Sequence, residues 1–582
     1  MRAIRGAILT AIVLFGGATT RVSSQTISPP RLFFTDIVTG ANTGGENNNG
    51  VYLTIYGKGF GATQGSSVVT IGGGAPAQYK IWGQNNNVNT MLDMIVVQIG
   101  PKAKTGNVIV TVNGKASNAL PFSVSSGHIY FVSPNGNDSN SGSFASPWLT
   151  PVNAKNSMVA GDTVYFRAGT YTTIDDFSSV LVCNKGYCSG TANQYQNFLG
   201  YPGERATLGS GSITHGVYHW ANTVWQYASV AELTLLGQVY GLTCQNVDPG
   251  GACNYIRIVG NNMYSIGPGV GLDLEMPADH IAVYGNESAQ NCLGSSGCSY
   301  DDRAYSFYFG GYGAQSNFDV GWNRLHDNPF GKGIQVYGHI AGDTITHLVI
   351  HDNEIYNNTM TGIELGGSDG KTDFVQDALL YNNILWNNAN GAPVSHMVYG
   401  GVELEGLDAN DGTYTLYNNT FYANSPAHSS IQPGGAIAFG TNGVKSVTLE
   451  NNIFYAASGS PCYLYFDDST APVAGRVSFA NNLYFNAGKG PSGCNYNVGS
   501  ITVASDAKGV NGNPNFAGPS ALNFHLTAGS PAIDAGMNTG LATDFDGVVR
   551  PQGSAFDIGA FEFVSGSSTQ LPPPINVSVI VH

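Results

Sequence analysis

The sequence predicts an all-β chain, a small sandwich followed by a long solenoid, and three observations carry that expectation. Only 10% of the 582 residues are charged, against about 25% in ordinary globular proteins, while 42% are hydrophobic. A large core is therefore within reach, and a disordered chain, which needs low hydrophobicity and high charge, is excluded. Glycine supplies 78 residues, roughly twice the usual share of about 7%, which favours frequent turns over long helices. Finally, short strand-like runs carrying an asparagine recur along the second half of the chain, as in stacked repeats.

The formal net charge is −15. A nucleic-acid partner needs a basic face, and no run of Lys or Arg occurs, so no nucleic-acid partner is expected. Such a surface captures a polyanion only with a cation between them.

The first 25 residues read as a secretory signal peptide. Arg2 and Arg5 precede an apolar stretch from Ala7 to Phe15, and small residues follow, with cleavage expected between Ala18 and Thr26. The apolar stretch falls short of the roughly 20 residues that span a bilayer. The mature chain is thus expected outside the cell or on its surface, without a transmembrane span. Eight cysteines agree with export. Their spacing suggests local staples, Cys183 with Cys188, Cys244 with Cys253, Cys292 with Cys298 and Cys462 with Cys494.

Residues 27–125 alternate in short runs (VYLTIYG, SSVVTIGG, DMIVVQIG, GNVIVTVNG, LPFSV) divided by Gly and Asn turns, the pattern of a small immunoglobulin-like β-sandwich. The YGKGFG turn at 56–61, VTIGG at 69–73 and GNVIVTVNG…ALPFSV resemble the IPT/TIG family. That resemblance implies a spacer or a module for cell-surface partners. From His128 the character changes. A strand, a polar loop, an amphipathic cap around Pro151–Val159 and the buried run TVYFRAG resemble the opening segment of secreted right-handed parallel β-helix proteins. A cap is needed because the first coil of a solenoid otherwise exposes its core.

Eight segments, from IRIVGNNMY to VSFANNLYF, place Asn262, Asn286, Asn323, Asn353, Asn383, Asn419, Asn452 and Asn482 at one corner of successive coils. An asparagine there hydrogen-bonds to the corners above and below, a structural role. Most coils add a second strand (GLDLE, FYFGG, GIQVYG, GIELGG, GVELEG). Alternation turns Ile363 and Leu365 inward and Glu364 outward, and sets Asp273, Tyr308, Gln335, Glu364 and Glu403 in one outward row, about 4.8 Å apart. With small residues two positions earlier (Gly271, Ser306, Gly333, Gly362, Gly401), a shallow groove with an acidic floor is expected. Residues 513–563 resemble the terminal segment of exported bacterial β-helix proteins, and 564–582 form a Pro/Ser-rich tail. Across 128–563 the chain resembles the pectate-lyase-like superfamily, which implies polysaccharide-directed activity.

Three groups could carry chemistry. Glu364 and Glu403, with Glu405, Asp273 and Glu275, would suit a Ca²⁺ site or an acid/base pair for glycoside cleavage; otherwise they form a solvated acidic face. Lys332 or Arg303, with His326 nearby, could remove the proton α to a uronate carboxylate while Ca²⁺ on the carboxylates offsets its charge; otherwise Lys332 merely offsets the acidic row. The rings three residues beyond the asparagines (His326, Tyr356, Trp386, Tyr422, Tyr455, Phe485) either stack on sugar faces or stack on one another under a covering loop. Tyr308, Gln335, Tyr337, His326, Trp386 and Tyr422 are the candidate substrate contacts. The NTD, DD, GHG and RIK series of polygalacturonases is absent, Asp301–Asp302 standing alone, as are the WxDH and RxPxxR signatures of pectate lyases. The insertion between Asn286 and Asn323, closed by Cys292 and Cys298, would wall the acidic row. The expected function is a lyase that cleaves an acidic polysaccharide by β-elimination. The alternatives are a glycoside hydrolase with paired carboxylates and a non-catalytic adhesive protein that binds glycans or partner proteins.

Overall fold

The computed structural model describes residues 29–565, apart from 85–90, 221, 246–249, 293–297, 299–303, 339, 341, 367–373, 392–398, 406–411, 427–433, 441–443, 468–470 and 496–498. The expected signal peptide, Arg303, the Asp301–Asp302 pair and nearly all of the tail lie outside these residues.

Two sheets form the first unit. One orders Arg31–Thr35, Tyr52–Lys58, Asp93–Gln98 and Gln78–Gln84; the other joins Thr39–Gly40, Leu120–Val124, Gly106–Val112 and Val68–Ile71. Alternation along these strands buries Ile55, Ile71, Val97, Val110 and Phe122 between them.

The rest is a parallel β-helix. Among the described residues, three sheets of twelve strands each run its length. One coil illustrates the plan: Ile345–His351 in the first sheet, Glu354–Tyr356 in the second and Ile363–Gly366 in the third. Like residues stack into columns, for example Leu325, Ile355, Leu385, Phe421 and Phe454, all fully buried. The helix Pro151–Ser157, capped by the Thr150 hydroxyl on the Asn153 N–H, closes the first coil where a cap was expected.

The asparagine ladder is present with one correction. It begins at Asn261, not Asn262, and passes through Asn286, Asn323, Asn353, Asn383, Asn419, Asn452 and Asn482 to Asp506. In the GNN turn the first asparagine points inward, and Asn262 stands opposite Glu287 in the next strand. Asn353 shows the bonding: its Nδ2 donates to the Val320 carbonyl (2.9 Å) and to Asn383 Oδ1 (3.0 Å), and its Oδ1 accepts from the Asn323 backbone N–H (2.9 Å). A second ladder runs five residues later through Asn291, Asn328, Asn358, Asn388 and Asn424. The glycines expected to floor a groove serve this second ladder instead. A Cβ on Gly362 would lie 3.0 Å from Asn388 Nδ2, and one on Gly401 2.9 Å from Asn424 Nδ2.

The sandwich is not a detached bead. Strands of the first sheet are apolar on both faces in the early coils, and their outer column Tyr165, Leu199, Ala231, Val259 and Tyr284 shares one core with it. Phe34 packs on Tyr284 and Trp322, each at 5.2 Å. The terminal segment covers the corner further along. Asn382, Asn418, Asn451 and Asn481, each at positive φ, donate to its carbonyls at Thr543, Asp557, Met537 and Ala535. All four disulfides pair as the spacing suggested. Among the described residues, no helix is long and apolar enough to cross a membrane.

Candidate active site

The outward column of the third sheet is in the expected register. Asp273 stands opposite Tyr308, then Gln335, Glu364, Glu403 and Ala438 follow, one per coil. Its environment differs from expectation. The side chains are sealed from water, not solvated: Lys332 is 5% exposed, Glu364 3% and Glu403 4%, with Asp273 and Glu275 fully buried. Buried charge must be compensated by partners or by protons.

Glu364 is the compensated one. The Lys332 ammonium contacts its Oε2, and Gln335 Nε2 donates to its Oε1 at 2.6 Å. The same ammonium lies 5.4 Å from the centroid of the Tyr305 ring. Glu403, directly opposite on the next coil, accepts from the Thr361 hydroxyl at 2.8 Å. Burial, reinforced by the charges of Glu364 and Glu405, pushes its pKa well above the usual carboxylate range, against the pull of Lys332. Burial and neighbouring negative charge thus act together against ionisation of this carboxyl.

Two glycines make the space into which the carboxylates turn. A Cβ on Gly440 would lie 2.7 Å from Glu405 Oε1 and 3.2 Å from Glu403 Oε1; one on Gly366 would lie 3.1 Å from Tyr337 Cδ2 and 3.3 Å from Glu405 Oε2. Glu405 and Tyr337 are half-buried and form the solvent edge of the cluster.

The five carboxylates do not share one site. Asp273 accepts from the Thr243 hydroxyl at 2.7 Å, and Glu275 contacts Gln245. Three strand spacings, about 14 Å, separate Asp273 from Glu364, with Tyr308 and Gln335 between. Among the described residues, one group of three metal-ligand side chains converges within 4.8 Å, His219 with Cys244 and Cys253, and those cysteines are joined in a disulfide. A hard cation would be held by Glu403 and Glu405, whose oxygens both lie beside Gly440, and its charge would favour the ionised form of Glu403 that burial opposes.

His326, Trp386 and Tyr422 belong to the second sheet and so to a different face. His326 contacts Asp327 at 2.7 Å and Glu287 at 3.1 Å; burial alone would lower its pKa, but these carboxylates raise it. The rings stack on one another, His326 on Tyr356 at 4.5 Å and Tyr356 on Trp386 at 4.6 Å. Tyr422 packs against Phe524 at 5.2 Å, under the terminal segment. Of the two readings of this row, mutual stacking under cover is the one present, and a saccharide on the acidic strip would not reach it. Thr361, Thr243 and Tyr305 went unnoticed in the sequence, because their partners are reached only across coils.

No protein-family model matches the chain. Among curated proteins it is similar to the uncharacterized protein YwoF of Bacillus subtilis (strain 168), 24% identical over 363 residues, 50% of this chain and 74% of that protein. Among solved structures it is similar to the pectate lyase Pel9A (18% identity, TM-score 0.48, 75% of this chain and 97% of that one). It is also similar to a rhamnogalacturonan lyase (15% identity, TM-score 0.35, 61% and 87%).

Proposed function

We propose that this parallel β-helix protein is a secreted carbohydrate-active enzyme that cleaves an acidic polysaccharide by β-elimination at the Lys332–Glu364–Glu403 cluster. The supporting observation is the contact of the buried Lys332 ammonium with Glu364, with Glu403 directly opposite Glu364 on the next coil. The cluster therefore presents an amine in contact with one carboxylate and beside a second carboxyl whose ionisation is opposed by burial. Export is supported by the N-terminal segment and by four disulfides, which persist in oxidising compartments.

In this reading the substrate enters at the Glu405–Tyr337 edge. Lys332, its proton passed to Glu364, removes the hydrogen α to a uronate carboxylate. The electron pair forms the new C=C bond as the β C–O bond breaks, and the leaving oxygen takes a proton from water. Gln335 holds Glu364 in place for the transfer. Ca²⁺ at Glu403 and Glu405 would supply counter-charge for the substrate carboxylate.

A second reading, hydrolysis, is favoured by one feature: two facing carboxyl groups in unlike surroundings, Glu364 against an ammonium and Glu403 raised by burial, suit the pairing of a base with a general acid. Incubating the purified protein with uronate polysaccharides, with Ca²⁺ and with chelator, separates them. Unsaturated product absorbing in the ultraviolet supports elimination. New reducing ends without that absorbance support hydrolysis, and neither product supports the adhesive alternative.

A further inference from the structure

At the N-terminal end of the outer face that carries the cluster, a cleft of about 440 Å³ opens. Val182 and Tyr218 head the outward column that continues through Thr243 to Asp273, and the cleft lies beside them. Trp220 forms one wall, with Phe177 edge-on to it at 5.1 Å. The opposite wall is the loop closed by the Cys183–Cys188 disulfide, which carries Lys185 and Tyr187 into the cleft. At the floor, Lys155 from the cap helix pairs with Asp175, both nearly buried, and its ammonium sits 4.9 Å from the centroid of the Tyr187 ring.

The backbone adds an independent sign. Phe177 and Ser178 both adopt positive φ, 49° and 52°, a conformation that a bulky residue enters at a cost. The result is a phenylalanine left 43% exposed at the mouth of the cleft. Its carbonyl accepts from Ser179 Oγ, which in turn contacts His215 Nδ1 at 2.8 Å, so the strained turn is braced. Core packing does not require this ring to face water.

We propose that this cleft is a saccharide subsite, in which a pyranose ring stacks on Trp220 against Phe177 and its hydroxyls bond to the Lys155–Asp175 pair. Aromatic walls with a few fixed polar groups are the usual composition of a small-ligand pocket, and the disulfide-closed wall means little ordering is needed on binding. The proposal rests on the saccharide reading of this face but not on the elimination chemistry. Five strand spacings, about 24 Å, separate the level of Tyr218 from that of Glu364. A long polysaccharide chain can occupy both places; a trisaccharide cannot.

Affinity electrophoresis tests it, in native gels containing polygalacturonate, rhamnogalacturonan, alginate or xylan. The wild-type protein should be retarded by at least one polymer. Trp220→Ala and Phe177→Ala should each weaken that retardation about tenfold, Trp220→Phe should restore most of it, and Val549→Ala, at an exposed position of the terminal segment, should leave it intact. Phe177→Ala trims a ring 43% exposed, and an unchanged circular dichroism spectrum and melting temperature show that each variant folds. Retardation equal in wild type, Trp220→Ala and Phe177→Ala, or none with any polymer, overturns the proposal. Trp220-dependent retardation without any unsaturated product overturns the elimination reading and leaves the subsite standing.

Discussion

Glu364 and Glu403 stand opposite one another on adjacent coils, and the Lys332 ammonium lies against Glu364. Identical residues one strand spacing apart thereby sit in unlike surroundings, one against an ammonium and the other raised by burial and by the charges of Glu364 and Glu405. The division of roles proposed for the cluster starts from this asymmetry.

Removing Lys332 should cost both activity and stability. Lys332→Met leaves Glu364 buried without its counter-ion, a loss of about 3–5 kcal/mol, and should abolish product. Lys332→Met combined with Glu364→Gln should recover most of the stability and none of the activity. Denaturant midpoints and product formation on the three proteins check this. Recovery of activity in the double variant would remove Lys332 from the chemistry.

The ladder carries weight at each rung. Asn353→Ala removes a side chain that serves the Val320 carbonyl, the Asn323 N–H and Asn383 Oδ1. With unsatisfied buried groups costing about 1–3 kcal/mol each, a loss of roughly 3 kcal/mol or more is expected in urea unfolding. An exposed change such as Val159→Ala should shift the midpoint hardly at all.

Docking of the sandwich should weaken in alkali. Glu232, which contacts the Tyr56 hydroxyl, is raised to about 8 by burial and by Asp36. Asp36 is itself raised to about 7, chiefly by burial. Both folded values exceed the ordinary ones, so the folded state binds more protons and stability falls as pH rises from about 4 through about 8. His351 acts in the same direction: burial opposes its charge, but Asp319 and Asp352 hold its pKa at about 9, so its contribution is complete below about 6.5 and lost through about 9. Melting temperatures from pH about 5 to about 9 should decline, and Glu232→Gln should flatten the decline. An unchanged slope would show that Glu232 does not titrate at the interface.

The Cys462–Cys494 disulfide closes a separation of 32 residues between neighbouring strands near the C-terminal end of the third sheet. Replacing both cysteines by serine should cost about 3–4 kcal/mol by loop-closure entropy. Proteolysis should then begin in the last coils. Initial cleavage elsewhere would contradict this placement of the weak point.

Much of the solenoid is written locally. The side-chain alternation of a strand has a period of two, so Ile363 and Leu365 could be turned inward and Glu364 outward without knowing what surrounds them. The same rule lined up Asp273, Tyr308, Gln335, Glu364 and Glu403 before any coordinates, and close cysteine spacing found the disulfides. Where two asparagines adjoin, as at Asn261 and Asn262, one residue of register decides which enters the ladder, and the spacing of the neighbouring segments left both within reach. The second ladder was visible as an asparagine five residues after the first in segments such as NEIYNN, NILWNN and NTFYAN, a signal easily taken for loop composition.

What lies over each face was settled by tertiary structure alone. Tyr422 is covered by Phe524, about a hundred residues later in the chain, and Tyr284 by Phe34, some 250 residues earlier. Alternation says that a side chain points away from the core, but burial depends on which distant segment returns to cover it. For Glu403 that difference is decisive. In water it would be an ordinary carboxylate; enclosed beside Glu364 and Glu405, its pKa rises well above that range, because desolvation and two neighbouring negative charges outweigh the pull of Lys332 and the Thr361 hydrogen bond.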